Sequence, residues 1–259
     1  MALRYITGRS GQGKTEYLVE EVIRRSIEIP EKQYYVIVPE QFSLEMQRKI
    51  VKMHPRHGFF NIDVLSFHRL SYRIFAECNY QPKEILEDLG VSMMLRKILS
   101  EEEGDFLYFK KSMKKPGFID ELKSMLMEFI GYGVSWKQVE EVTKQLDENK
   151  SLCNKCEELG RIYERFEKAI EGRFMVTEQI LDIAREFTGK APMLKNAVFY
   201  FDGFAGFTPV QISFLRELLK VAAQINVTLT IPEYIPGQKG MSEDLFNASK
   251  KTADALLML

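Results

Sequence analysis

Gly8-Arg9-Ser10-Gly11-Gln12-Gly13-Lys14-Thr15 is the stretch whose reading decides the fold. It satisfies G-x-x-x-x-G-K-[ST]. An apolar strand containing Tyr5-Ile6 precedes it. An amphipathic segment, Thr15 to Ile29, follows, with Leu18, Val19, Val22, Ile23 and Ile27 on one face and Pro30 as the stop. Glycine lets consecutive backbone N–H groups turn inward around a phosphate. The helix N-terminus adds a dipole that favours the anion. Gly8, Arg9, Ser10, Gly11, Gln12, Gly13, Lys14 and Thr15 are therefore expected to form a nucleotide-binding loop. Lys14 would reach the β- and γ-phosphates and Thr15 would ligate Mg2+. Base specificity is not legible in this stretch.

Outward from the loop, strand and helix alternate. Tyr34 to Val38 is an apolar run of strand length. Phe42, Met46, Ile50 and Met53 mark a second helix, Ile62 to Ser66 a third strand, and Leu70, Ile74 and Phe75 a third helix. Such alternation implies a parallel sheet. From 79 to 192 no strand pattern is evident. Helical periodicity runs instead through Val91 to Leu99, Phe118 to Ile130, Val139 to Leu146, Cys153 to Ile170 and Val176 to Phe187. The α/β pattern resumes with a strand at Ala197 to Phe201, a helix at Pro209 to Ala223 and a strand at Ile225 to Ile231. The expectation is an α/β domain, residues 1–78 and 193–259, interrupted by an all-α insertion, residues 79–192. The final stretch, Thr252 to Leu259, reads as a helix in progress without a cap, as expected of a fragment of a longer chain.

Val198-Phe199-Tyr200-Phe201-Asp202 ends a strand on a carboxylate. An acidic residue at the end of a neighbouring strand is the usual second half of a phosphate-loop site, holding Mg2+ through water. Thr15 and Asp202 are therefore the expected metal-site pair. Gly203 follows, where active ATPases of this broad class commonly carry a Glu that polarises the attacking water. The next carboxylate is Glu217, well inside the following helix, so no catalytic residue can be assigned.

Composition narrows the function classes. The formal charge of the 259 residues is −1, so any nucleic-acid contact must be local. No apolar run approaches the roughly 18 residues a membrane span needs, and the N-terminus lacks a signal-peptide pattern. A cytoplasmic protein without a membrane partner is expected. Three cysteines argue against a disulfide framework. The Cys153-Asn154-Lys155-Cys156 pair has neither further zinc ligands at close spacing nor a redox context, so free thiols are expected.

Four strings, in order, resemble the motifs of superfamily 1 helicases. The phosphate loop resembles motif I, and Val38-Pro39-Glu40-Gln41-Phe42-Ser43-Leu44-Glu45-Met46 resembles motif Ia. Leu65-Ser66-Phe67-His68-Arg69-Leu70 resembles motif Ib. Asp202-Gly203-Phe204-Ala205-Gly206-Phe207-Thr208-Pro209-Val210-Gln211 resembles motif II with its Glu replaced. As a set they are similar to the N-terminus of AddB-type subunits of the bacterial AddAB ATP-dependent helicase/exonuclease. The resemblance implies a P-loop NTPase fold, with a 1A-like sheet domain and a 1B-like helical insertion. It also implies binding of ATP and Mg2+, contact with DNA, pairing with an AddA-type subunit, and a role in double-strand break repair and recombination. The family's nuclease motif and iron–sulfur cysteines belong to its C-terminal part, beyond this sequence. Gly203 departs from the active pattern. So does Thr228-Leu229-Thr230-Ile231-Pro232-Glu233, which lacks the G-D-x-x-Q string of motif III. Both imply weak or absent hydrolysis by this domain.

Carried over from motifs Ia and Ib, the DNA-contact candidates are Gln41, Phe42, Ser66, Phe67, His68 and Arg69. Phe67 and His68 would stack on bases and Arg69 would meet phosphate. Phe67 reads equally as core, and Ser66 as a helix N-cap. Lys110-Lys111-Ser112-Met113-Lys114-Lys115, and the group Lys52, His54, Arg56 and His57, are secondary basic patches that read more simply as solvated loops. Two other readings stay open: a stand-alone P-loop kinase or NTPase, and a nucleotide-gated DNA-binding scaffold that does not hydrolyse.

Overall fold

The structure is a computed structural model that describes residues 2–101, 106–113, 115–144, 150–232 and 246–259. Lys114, Leu146 and Glu233, which figure in the sequence patterns above, lie outside the described residues. In chain order the elements are β1 (Ala2–Gly8), α1 (Lys14–Glu28), β2 (Tyr34–Ile37), α2 (Ser43–Met53), β3 (Ile62–Leu65) and α3 (Phe67–Glu77). Then come β4 (Glu84–Ile85), α4 (Asp88–Glu101), α5 (Phe118–Tyr132), α6 (Trp136–Lys144), α7 (Lys150–Ile170) and β5 (Phe174–Met175). The chain continues through α8 (Ile180–Arg185), β6 (Val198–Phe201), α9 (Pro209–Val221), β7 (Gln224–Thr230) and α10 (Asn247–Leu257). Two compact units result: Met1–Gln81 with Leu181–Leu259, and Pro82–Ile180.

The first unit is built on a parallel sheet of order β1-β7-β6-β2-β3. Its central strands, Tyr34-Tyr35-Val36-Ile37 and Val198-Phe199-Tyr200-Phe201, are buried throughout. A parallel strand covered on both faces needs apolar side chains at every position, which explains these unbroken runs. On one face α1 and α2 bring Leu18, Val22, Met46 and Ile50 against Val36, Val64 and Val198. On the other, α3 and α9 meet the sheet through aromatic rings. Phe67 lies 5.6 Å from Phe201 and 6.0 Å from Phe214, centroid to centroid, while Tyr35 stacks on Phe199 at 4.9 Å.

The stretch 181–192, read above with the helical segment, belongs to the α/β unit. The Phe187 ring sits 4.5 Å from Tyr80 and 6.1 Å from Phe75. The helix expected over Val176 to Phe187 is broken: a 3-10 turn at Thr177–Gln179 leads into the shorter α8, and a second turn follows at Thr188–Lys190. Gln179 Oε1 accepts the Val176 N–H at 3.1 Å and so starts the first turn.

The second unit is mostly helical. Leu95, Leu126, Ile162 and Phe166 form the centre of its core. It is not all-α, however. β4 and β5 pair in parallel, Glu84 with Phe174 and Ile85 with Met175. Two residues cannot display a period of two, so the sequence carried no sign of them. Buried Glu158, on α7, accepts the N–H groups of Leu107, Tyr108 and Phe109 at 2.6, 2.7 and 2.9 Å. That anchors a stretch whose backbone donors would otherwise be unpaired.

Candidate functional site

The carboxyl ends of β1, β2, β6 and β7 converge, and ligands of open parallel sheets bind outside such ends. The loop from Gly8 to Lys14 leaves β1 and enters α1. Gly11 and Gly13 take φ of 76° and 78°, a left-handed backbone that other residues avoid. A side chain at Gly8 would meet Gln12 Oε1 at 3.1 Å. Gln12 braces the loop from within, its Oε1 accepting the Arg9 N–H at 2.6 Å. The Lys14 ammonium donates to the Gly8 and Arg9 carbonyls at 2.9 and 2.8 Å. That uses two of its three protons.

Helix α1 is pinned from below. Buried Glu21 takes Arg4 Nη1 at 2.9 and 2.8 Å and the Tyr200 hydroxyl at 3.2 Å, while Arg25 donates to Tyr200 at 3.1 Å. Burial pushes the Tyr200 phenol well above its ordinary range, so it stays a donor. This network joins β1, α1 and β6 and fixes where the loop sits.

Thr15 Oγ1 donates to Asp202 Oδ2 at 2.8 Å, across 187 residues of chain. Asp202 is buried. Its N–H bonds the Ile37 carbonyl at 3.0 Å, and its Oδ1 accepts Thr228 Oγ1 at 2.6 Å. A helix and a strand thus hold the two oxygens of the carboxylate, while β2 holds its backbone. Thr228 was not among the sequence candidates, although a signal existed. With Val227, Leu229 and Ile231 on one face of β7, the opposite face carries Asn226, Thr228 and Thr230, and polar side chains in a central strand need partners.

A cleft of about 730 Å3 opens over these residues, lined among others by Lys14, Thr15, Asp202, Glu45 and Lys49. A side recess of about 230 Å3 is lined by Thr15, Asp202, Gly203, Phe42 and Glu45. Glu45, part of the motif Ia string but given no role there, and Lys49 both come from α2 and were not among the site candidates. Lys49 pairs with Glu16 across the cleft, and that hydrogen bond holds the Glu16 carboxyl below its ordinary value. Gly203 has φ of 79°. A Cβ there would point at Pro39 and Phe42, at ordinary contact distances of 3.5 and 3.7 Å. The obstacle to a side chain is therefore the backbone conformation rather than space.

Among the motif Ia and Ib candidates, Gln41 and Phe42 are exposed in a 3-10 turn, Glu40–Phe42, ahead of α2. Ser66 caps α3, its Oγ accepting the Arg69 N–H at 3.3 Å. Phe67 is core. It packs on Phe201 and Phe214 and also on Phe204 and Phe207, at 5.4 and 6.2 Å. His68 and Arg69 are exposed, and Arg69 Nε bonds Glu40 Oε1 at 3.0 Å, tying the two motifs together. Of the other basic residues, Lys110 and Lys111 lie in a 3-10 turn, and His54 is buried. Cys78, Cys153 and Cys156 are thiols. No group of three or more metal-ligating side chains occurs among the described residues. No described helix is long and apolar enough to cross a membrane.

Fold and site together define an α/β domain with a parallel sheet and a glycine-rich loop facing a strand-end aspartate. A family model described as "ADDB, N-terminal" matches residues 5–259, and the chain belongs to that family. It is 35% identical over 257 residues to the B subunit of an ATP-dependent helicase/deoxyribonuclease of Lachnoclostridium phytofermentans, covering 99% of this chain and 22% of that protein. Proteins of the same name from Acetivibrio thermocellus and Clostridium kluyveri are 33% and 31% identical over 228 and 259 residues. Those matches cover 88% and 100% of this chain, and 20% and 22% of the two relatives. The chain thus spans about a fifth of the length of the curated relatives it matches.

Proposed function

We propose that this chain is the ATP-binding, helicase-like N-terminal domain of an AddB-type component of an ATP-dependent helicase/deoxyribonuclease. It would act in the cytoplasm with DNA and an AddA-type partner in double-strand break repair and recombination. The fold assigned to it is that of a P-loop NTPase with a 1A-like sheet domain and a 1B-like helical insertion. The observation that carries the reading is the 2.8 Å bond between Thr15 and Asp202 at the mouth of the glycine-rich loop.

The residues present fit a magnesium–nucleotide. A threonine hydroxyl and a carboxylate, both hard oxygen donors, meet beside a glycine-rich loop whose amides could turn toward a phosphate. Magnesium bound there would neutralise charge on the β- and γ-phosphates. Lys14, already aimed into the loop, would exchange its two carbonyl partners for phosphate oxygens. Asp202, held on both oxygens, would keep its orientation without the help of a ligand.

The left-handed Gly203 favours slow turnover. No carboxylate directly follows Asp202 to polarise water, so the domain would hold its nucleotide longer than an active helicase motor does. The DNA surface assigned here consists of Gln41, Phe42, His68 and Arg69. Phe67 is left out because its ring is committed to the core.

Equilibrium titration with a fluorescent ATP analogue tests the reading. Wild type should bind in a Mg2+-dependent manner, and Lys14→Ala should lose at least tenfold in affinity at unchanged thermal stability. Equal binding by the two proteins would sink the proposal.

A further inference from the structure

We infer that Glu45, from the helix after β2, supplies the water-polarising carboxylate that the position after Asp202 cannot. The inference rests on the nucleotide-binding reading above and assigns the residue through which its slow turnover proceeds.

Three observations combine. First, the left-handed backbone at the position after Asp202 disfavours a glutamate. Gly203 has φ of 79°, and a Cβ there would point toward Pro39 and Phe42. Secondly, that same Pro39–Phe42 turn leads directly into α2, whose first turn carries Glu45 back to the site. Glu45 lines both the main cleft and its side recess, each time together with Thr15 and Asp202. Thirdly, the Glu45 carboxylate makes no hydrogen bond or ion pair with any described residue. The neighbouring cation, Lys49, is held by Glu16 instead. An unpaired carboxylate lining the same cleft and recess as the Thr15–Asp202 pair is placed to accept a proton from water.

β2 and β6 are adjacent strands, so their carboxyl ends face the same space. A glutamate delivered from the end of β2 replaces one delivered from the end of β6. In the step, the water oxygen bonds the γ-phosphorus while Glu45 takes the proton. The bond from γ-phosphorus to its bridging oxygen breaks, the electron pair leaves with the diphosphate, and Glu45 later returns its proton to solvent.

The test is single-turnover ATP hydrolysis by the 259-residue chain, with affinity for a non-hydrolysable ATP analogue measured alongside. Wild type should turn over slowly but measurably above Lys14→Ala. Glu45→Gln should lower the rate at least tenfold while analogue affinity and melting temperature stay within twofold and 2 °C of wild type. Glu45→Asp, with the carboxylate withdrawn by one methylene, should fall between. A Glu45→Gln rate equal to wild type overturns the inference and leaves nucleotide binding standing. So does binding with no turnover above the Lys14→Ala background. Failure of wild type to bind the analogue at all overturns both.

Discussion

Asp202 accepts one hydroxyl on each carboxylate oxygen, Thr15 at 2.8 Å and Thr228 at 2.6 Å. The first comes from the helix after β1 and the second from β7, so the aspartate at the end of β6 is oriented by its neighbours before any ligand arrives. Thr228→Val keeps the shape and removes the donor. The loss of one buried bond to a charged group should cost about 1–3 kcal/mol of stability. Mg2+-dependent nucleotide affinity should fall about tenfold, equivalent to roughly 1.4 kcal/mol, with little change in its Mg2+-independent part. Calorimetric titration with and without Mg2+ separates the two, and an unchanged Mg2+ dependence would remove Thr228 from the site.

Gly203 holds a left-handed backbone. Gly203→Ala and Gly203→Glu should each destabilise the fold by about 1–2 kcal/mol, the cost of that conformation for an L side chain. Urea unfolding provides the measure. Gly203→Glu should not raise ATP turnover, although it restores the residue type found in active motors. A faster enzyme would show that the backbone had rearranged to admit the side chain.

Arg69 and Glu40 form an ion pair of which both members are about half exposed. Such pairs contribute about 0–1 kcal/mol, so Glu40→Gln should melt close to wild type. It should also free the guanidinium. Single-stranded DNA affinity, read by fluorescence anisotropy at low salt, should rise about two- to fivefold as one repulsive charge is lost. Arg69→Ala should weaken it. If neither variant moves the affinity, Arg69 does not face DNA.

His54 is buried, and its Nδ1 accepts the Arg56 N–H at 3.2 Å. Burial first, then the positive charges of Arg56 and His57, hold its pKa below the ordinary 6.5. As pH falls through about 6.5, the unfolded chain takes up the proton before the folded one does. The stability due to neutral His54 is therefore complete above that pH and is lost on acidification toward the folded value. Urea midpoints measured between pH 8 and pH 5.5 should decline more steeply in wild type than in His54→Asn.

Much of this architecture was legible in the residues. The alternation around Gly8–Thr15 and the unbroken apolar strands read directly as a parallel sheet, because burial on both faces leaves a one-dimensional trace. Asp202 stood out for the same reason, as the first polar residue after four apolar ones. What escaped were relationships set by register and backbone angle. Thr228 meets Asp202 only because β7 lies beside β6. Glu45 stood in the motif Ia string without a role, and its place in the cleft follows only once β2 and β6 are adjacent. The φ of Gly203 turns an apparent substitution into a constraint on the main chain. β4 and β5 left no pattern because each is two residues long. Phe67 had two readings in sequence, and four neighbouring phenylalanine rings decide between them.

Those rings have a mechanical meaning. Phe201 belongs to the strand that ends at Asp202, Phe204 and Phe207 to the loop just after it, and Phe67 to the first turn of the helix that displays His68 and Arg69. A close-packed interior does not yield by small degrees. A change in the path of that loop would disturb the packing around the Phe67 ring, one residue before the exposed pair. The phenylalanine that could equally have stacked on bases or filled the core thus joins the segment after the aspartate to the helix on the outer face of the domain.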